Sequence, residues 1–382
     1  MSVTAAKGFT AAGVAAGIKS AGPDLALVVN EGPARAAAGV FTANRVQAAP
    51  VQWSRQVLRG GAVSAVVLNS GGANACTGPE GFQDTHATAE RAAAALGQSA
   101  AEVVVASTGL IGTRLPMDRL LPGVDDAAAR LSPDGGDRAA AAIMTTDTVR
   151  KTAVVRREGW SVGGMAKGAG MFAPSLATML VVLTTDADVD SAVLDETLRA
   201  ATRTTFDRVD SDGCMSTNDM VLLLASGASE VAPERGEFAE AVRAVCEDLA
   251  QQLVRDAEGA SKDIRIEVVG AASEDEAVQV GRTIARNNLL KCAVHGEDPN
   301  WGRVLAAIGT TEAAFAPDEL NVAVNGVWVC EKGAAAADRN LVDMRYRQVD
   351  ITADLAAGPA SAVIWTNDLT ADYVHENSAY SS

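Results

Sequence analysis

At 382 residues, 48% of them hydrophobic, the chain can fill one large body or two ordinary domains and is too apolar to be disordered. A formal net charge of −16 without any Lys/Arg cluster argues against a nucleic-acid partner. Apolar runs stay short of the ~18 residues a membrane helix needs, so no membrane partner is expected.

The opening MSVTAAKGFTAAGVAAGIKS lacks the leucine-rich centre of a signal peptide and runs into a strand-like LALVVN, which leads us to expect a cytoplasmic protein. Strand-like AVSAVVLNS follows, then an alanine-rich helix near His86–Leu96, then strand-like AEVVVAS. MLVVLTT, a helix over about 192–204 and MVLLLAS come next; such nearly continuous apolar strands suit sheets covered on both faces. From Glu237 to Arg255 the residues Phe238, Val242, Val245, Leu249 and Leu253 form one helical stripe. After IRIEVVG, a further helix opens at Ser273 with Glu276 in capping-box register.

Within LNVAVNGVWVC the pair Asn325-Gly326 signals a type I′ hairpin. In DMRYRQVDITADL, Ile351, Ala353 and Leu355 alternate, as in a strand with one solvated face, and AVIWT closes the series. Strands and helices mixed without regular βαβ alternation argue an α+β fold or layered sandwich, not a doubly wound sheet. Residues 233–312 read as a smaller α/β lobe.

The five cysteines are scattered and odd in number, which fits reduced thiols. Cys292 and His295 stand three apart, but three histidines in the whole chain are too few for a zinc site, and no metal is expected. There is no P-loop, no GxGxxG between strand and helix, and no GxSxG elbow. What remains is hydroxyls, glycines and isolated charges: STGLIG, IMTTDT, KGAGM, LATML, SDGCMSTND, RDAEGASKD, GEDPNWGR and the tail ENSAYSS. That inventory suits threonine-centred acyl transfer better than histidine acid–base work. Thr178 opens the run MLVVLTT behind the small residues Ser175, Leu176 and Ala177. A threonine hydroxyl needs an adjacent base, and the α-amine of a chain-terminal threonine supplies one, with a pKa of about 7.7–8.0. Taken alone, a threonine entering a strand is better explained by packing and propensity.

The run MAKGAGMFAPSLATMLVVLTTDA resembles the signature of the ornithine acetyltransferase (glutamate N-acetyltransferase) family. The resemblance spans the chain in order: AAGIK, AGVFTANRVQAAPV, LNSGGANACTG, STGLIG, AIMTTDT, STND, AEGASK and GEDPNWGRVLAAIG. It implies a layered α/β/β/α sandwich of the self-cleaving N-terminal-nucleophile type. It further implies cleavage between Ala177 and Thr178, giving an α chain of residues 1–177 and a β chain of 178–382 in an α₂β₂ assembly. Thr178 would be both the cleavage nucleophile and the acyl carrier, with the Thr108 side chain and the Gly109 N–H as oxyanion hole. Thr145, Lys167, Thr178, Glu258, Asn377 and Ser382 would hold the substrate. The implied reaction moves acetyl from N²-acetylornithine to glutamate, releasing ornithine and N-acetylglutamate, in arginine biosynthesis and without cofactor. Alternatives are an amidase or aminopeptidase of the related fold, a bifunctional form that also uses acetyl-CoA, and a binding protein that never cleaves.

Overall fold

The computed structural model describes residues 2–171 and 179–379. Strands β1 (Phe9–Val14) and β2 (Leu25–Asn30) pair antiparallel and begin a first sheet. Strand β3 (Ala37–Phe41) leaves for a second sheet, and helix α1 (Ala49–Leu58) leads back. Strand β4 (Ala65–Gly72), helix α2 (Gly78–Leu96) and strand β5 (Val103–Leu110) make a crossover, so β4 and β5 run parallel. The first sheet has the order β1-β2-β4-β5. Helix α2 starts earlier than its alanine-rich half suggests, because Pro79 opens its first turn.

Helices α3 (Met117–Ala129) and α4 (Gly136–Ala142) follow, and then β6 (Lys151–Arg156), β7 (Ser161–Lys167) and β8 (Leu180–Thr185) form antiparallel pairs. Helix α5 (Ser191–Thr204) returns the chain to β9 (Met220–Ala225), parallel to β8, completing a second sheet of order β3-β9-β8-β7-β6. Helix α6 (Arg235–Arg255) lies on this sheet, burying the stripe Phe238, Val242, Val245, Leu249 and Leu253.

Period-two alternation then explains the layering. Leu180 and Val182 of β8 and Met220, Leu222 and Leu224 of β9 point between the sheets, where they meet Ala26, Val28, Val66 and Leu68. Their neighbours Val181, Leu183, Val221 and Leu223 point the other way, onto α5 and α6. On the first sheet Leu25, Leu27 and Val29 face α2 and α3. The body is thus helix, sheet, sheet, helix, the layered α+β sandwich expected, and strands buried on both faces read as unbroken apolar runs for that reason.

The rest of the chain builds a six-stranded sheet with its own core. Its elements are β10 (Asp263–Ala271), α7 (Glu274–Ala285), α8 (Asn288–His295), α9 (Trp301–Ile308), β11 (Asn321–Val324), β12 (Val327–Glu331), β13 (Ala334–Ala335), β14 (Gln348–Asp354) and β15 (Ala360–Asn367). Residues 233–312 divide accordingly: α6 packs on the sandwich, whereas β10 and α7–α9 belong to this sheet. Asn325 and Gly326 both have positive φ, the I′ hairpin expected between β11 and β12. Buried Val349, Ile351 and Ala353 alternate along β14. Ser273 caps α7 through the Glu276 N–H, but the Glu276 carboxylate accepts the distant Ala314 N–H, so only half of the capping box forms. Helix α10 (Ala371–Ala379) ends the described chain.

Candidate active site

The C-terminal ends of β4, β5 and β7 and the N-terminal ends of β8 and β9 meet at one end of the sandwich. Pairing of Ser70 with Thr108, Lys167 with Leu180, and Leu180 with Met220 fixes their register. A cavity of about 470 Å³ opens there, walled by Thr108, Gly109, Thr145, Lys167, Glu258 and Asn377. Six residues expected at the site from distant motifs therefore surround one space. Ala177, Thr178 and Ser382 lie outside the described residues, although Met171 and Met179 bracket the segment that contains the first two.

Lys167 is no solvated lysine of a glycine loop. It ends β7, is buried, and its Nζ donates to Thr145 Oγ1 at 2.7 Å and to Thr108 Oγ1 at 3.4 Å. An ammonium only donates, so each hydroxyl acts as acceptor toward it and keeps its own proton for the cavity. Gly109 has φ +129°, and a Cβ there would stand 2.5 Å from the Gly71 carbonyl carbon. Only glycine allows the β5 backbone to turn so close to β4.

Beneath Lys167 lies a buried charge network. Asp147 Oδ2 is 4.0 Å from Lys167 Nζ, and its Oδ1 accepts from Lys151 Nζ at 2.7 Å and from the Gly168 N–H at 2.6 Å. Asp256 Oδ2 completes the network, 2.5 Å from Lys151. Burial by itself would raise the Asp147 carboxyl, yet Lys167 and Lys151 hold it down to about 2. Burial lowers the Lys167 ammonium, while Asp147 opposes that shift. The hydrogen-bonded amides and two lysines keep Asp147 ionised.

Also lining the cavity, Glu258 takes the Asn377 side-chain amide at 3.0 Å, and its own N–H donates to the Ala169 carbonyl at 2.8 Å. Gly170 leaves room for that carboxylate, since a Cβ there would sit 2.5 Å from Glu258 Oε2. A cation and a carboxylate lining one cavity, with hydroxyls beside the cation, fit a small zwitterion.

Four groups escaped the sequence reading although their motifs had been noticed. Lys19, the last residue of AAGIK, lines the cavity and donates to the Met144 carbonyl at 2.9 Å, with the preceding loop pinned by Asp24. Asp147 of IMTTDT carries the network. Asp219 of STND is fully buried and accepts the Met179 N–H at 3.0 Å; burial pushes its carboxyl well above the usual range, against the pull of the Met179 N–H, the Ser216 hydroxyl and Lys167. Asp212, from the same loop, accepts the Met171 N–H at 2.7 Å. The 210–219 loop thus grips the chain on both sides of residues 172–178. A lone aspartate in a polar loop gives no signal of burial, which depends on distant strands.

A layered α+β sandwich whose sheet ends gather buried lysine, threonine hydroxyls and a glutamate around a cavity has the make-up of an enzyme. Residues 10–382 match the model of the ArgJ family. The chain belongs to the ArgJ family, and the expectation of an acetyltransferase holds. It is 78% identical to the arginine biosynthesis bifunctional protein ArgJ of Streptomyces avermitilis, over the whole of both chains. Identity to the protein of that name from Thermobifida fusca is 64%, again over both full lengths. A crystal structure of Mycobacterium tuberculosis ornithine acetyltransferase complexed with ornithine is 63% identical, covering 46% of this chain and 96% of that one, with a TM-score of 0.45.

Proposed function

We propose that the chain transfers acetyl from N²-acetylornithine to glutamate through an acetyl-threonine at Thr178, in arginine biosynthesis. The observation that carries this reading is the cavity itself, lined by Lys167, Thr145 and Thr108 together with the Glu258–Asn377 pair. Lys167 pairs with the α-carboxylate of the amino acid, and Glu258, steadied by Asn377, receives the side-chain ammonium of ornithine. Ser382 contributes its hydroxyl to the same substrate.

Maturation precedes catalysis. The Thr178 hydroxyl attacks the Ala177 carbonyl carbon, the C–N bond breaks in an N→O shift, and water hydrolyses the ester. Products are a free Ala177 carboxylate and a free Thr178 α-amine. In the transfer cycle that amine takes the Thr178 hydroxyl proton while the oxygen attacks the acetyl carbon. Thr108 and the Gly109 N–H stabilise the oxyanion, each such donor being worth about 3 kcal/mol of barrier. Collapse returns the proton to departing ornithine, and glutamate then repeats the sequence in reverse order. We further propose that the two chains assemble as α₂β₂ in the cytoplasm. Because the curated relatives are called bifunctional, a second donor, acetyl-CoA, extends the reading.

Denaturing mass spectrometry tests the scheme. Two fragments meeting at Ala177-Thr178 are expected, and Thr178→Ala should leave one inactive chain of 39.1 kDa. Normal processing of that variant at this bond would remove Thr178 from the mechanism.

A further inference from the structure

One cavity has to serve two amino acids of opposite side-chain charge if acetyl passes from N²-acetylornithine to glutamate. Ornithine ends in an ammonium and glutamate in a second carboxylate, while the α-carboxylate is common to both. A carboxylate such as Glu258 suits the first side chain and repels the second. With Lys167 at the shared end, the γ-carboxylate of the acceptor needs another cation.

Lys19 lines the same cavity, and its backbone is fixed from behind by a buried carboxylate. Asp24 Oδ1 accepts the Ala16 N–H at 2.6 Å, and Oδ2 accepts the Ile18 and Lys19 N–H groups at 2.6 and 2.9 Å. Three backbone amides occupy this carboxylate, so it holds the loop without taking the Lys19 ammonium. Gly71, with φ +104°, makes room for the stem, since a Cβ there would stand 2.8 Å from Lys19 Cγ. The half-buried Lys19 makes one side-chain hydrogen bond among the described residues, from Nζ to the Met144 carbonyl at 2.9 Å. An ammonium has three donors and that acceptor is neutral, so charge and donors remain for a ligand. Burial lowers this ammonium, while Asp24 and Asp147 favour its charged form. Ile18, Leu110 and Ile111 also line the cavity and suit the methylenes of an amino-acid side chain.

The spacing of the two lysines fits a dicarboxylate. Met144, which accepts from Lys19, is followed directly by Thr145, which accepts from Lys167. Bond lengths keep the Met144 carbonyl oxygen within about 5 Å of Thr145 Oγ1, so the two ammonium nitrogens lie no more than about 11 Å apart. The carboxyl carbons of an extended glutamate are about 5 Å apart, and a charge-assisted hydrogen bond at each end stretches the bridged span to about 10 Å.

We propose that Lys19 is a specificity-determining residue for the acceptor, its ammonium pairing with the γ-carboxylate of glutamate while Lys167 holds the α-carboxylate. The inference rests on the acetylornithine–glutamate reading above and adds to it the place of the acceptor's side chain. The same positive charge repels the ornithine ammonium and turns that side chain toward Glu258. Donor and acceptor thus share one end of the site and part at the other.

Lys19→Met keeps the stem and removes the charge. Steady-state kinetics of the purified protein give kcat/KM separately for N²-acetylornithine and for glutamate. The glutamate value should fall about 10- to 100-fold, and at least about fivefold more than the acetylornithine value, because a charge-assisted hydrogen bond is lost on the acceptor side alone. Glutamine, the neutral isostere of glutamate, gains nothing from the charge, so the preference for glutamate over glutamine should shrink by a similar factor. Lys19→Arg retains the cation and should retain that preference. An unchanged glutamate value in Lys19→Met would overturn the inference. So would equal losses for donor and acceptor, which mark a structural role for the bond to Met144. If the parent protein moves no acetyl from N²-acetylornithine to glutamate, the reading of the reaction fails first, and the parent assay separates the two failures.

Discussion

Thr108 and Asp147 show how a single side chain acquires a task from its surroundings. Lys167 donates to the Thr108 oxygen and so leaves the hydroxyl proton directed elsewhere, as an oxyanion donor requires. Thr108→Ala should lower kcat for acetyl transfer by about 10²–10³ and leave the fold intact; steady-state kinetics at saturating N²-acetylornithine give the answer, and unchanged turnover would move the oxyanion hole elsewhere. Asp147 is a question of stability. Its carboxyl is depressed from an ordinary 3.8 to about 2, so the folded state gains when the group is ionised. That gain, about 2 kcal/mol, is complete above pH ~4 and is lost as pH falls through about 2. Asp147→Asn strands Lys151 and Lys167 without their shared anion and should cost about 3–5 kcal/mol at neutral pH. Urea midpoints for both proteins should differ most near pH 7 and converge as pH approaches 2.

At the scale of elements, helix α10 is the informative one, because composition alone reads the tail as disordered. Thr370 ties its start down, donating to the Gly259 carbonyl at 2.6 Å and accepting the Tyr373 N–H at 2.9 Å. Gly259 has φ +60°, and a Cβ there would lie 2.2 Å from the Tyr373 nitrogen, so the helix can sit this close only against glycine. Asn377 then reaches Glu258 at the cavity wall. Gly259→Ala should lift α10, expose the tail to limited proteolysis and raise KM for N²-acetylornithine. Deleting residues 377–382 should leave self-cleavage intact while the ratio of acetylornithine hydrolysis to transfer rises, since an open site admits water. An unchanged ratio would make the tail a passive terminus.

The whole molecule has a topology with consequences for cleavage. In the second sheet β3, β6 and β7 precede residue 178, while β8 and β9 follow it, in the order β3-β9-β8-β7-β6. β9 and β8 are thus held between β3 and β7, with ladder pairing on either side. Fragments separated by a break before residue 178 cannot part without dismantling that sheet and the core between the sheets. Processed protein should therefore elute as one particle in native gel filtration and resolve into two chains only in denaturant. Elution of separate fragments from a folded sample would contradict this topology.

What the sequence determined by itself was local periodicity and local chemistry. The α6 stripe, the alternation of β14 and the Asn325-Gly326 hairpin are legible because each is set by spacing within a few residues. Motifs such as STGLIG, KGAGM and AEGASK marked Thr108, Lys167 and Glu258, but as isolated residues they read better as a turn, a solvated lysine and a helix-end carboxylate. Tertiary structure decided the rest. Parallel pairing of β4 with β5 and of β8 with β9 joins strand ends that lie far apart in the chain, and only that convergence creates the cavity. Charge was decided there too: burial, which no residue carries in its own name, couples Asp147 to two lysines and encloses Asp219 behind Met179. Desolvation acts through neighbours distant in sequence, so the same aspartates that look like ordinary loop residues in the chain become the site's most constrained groups in the fold.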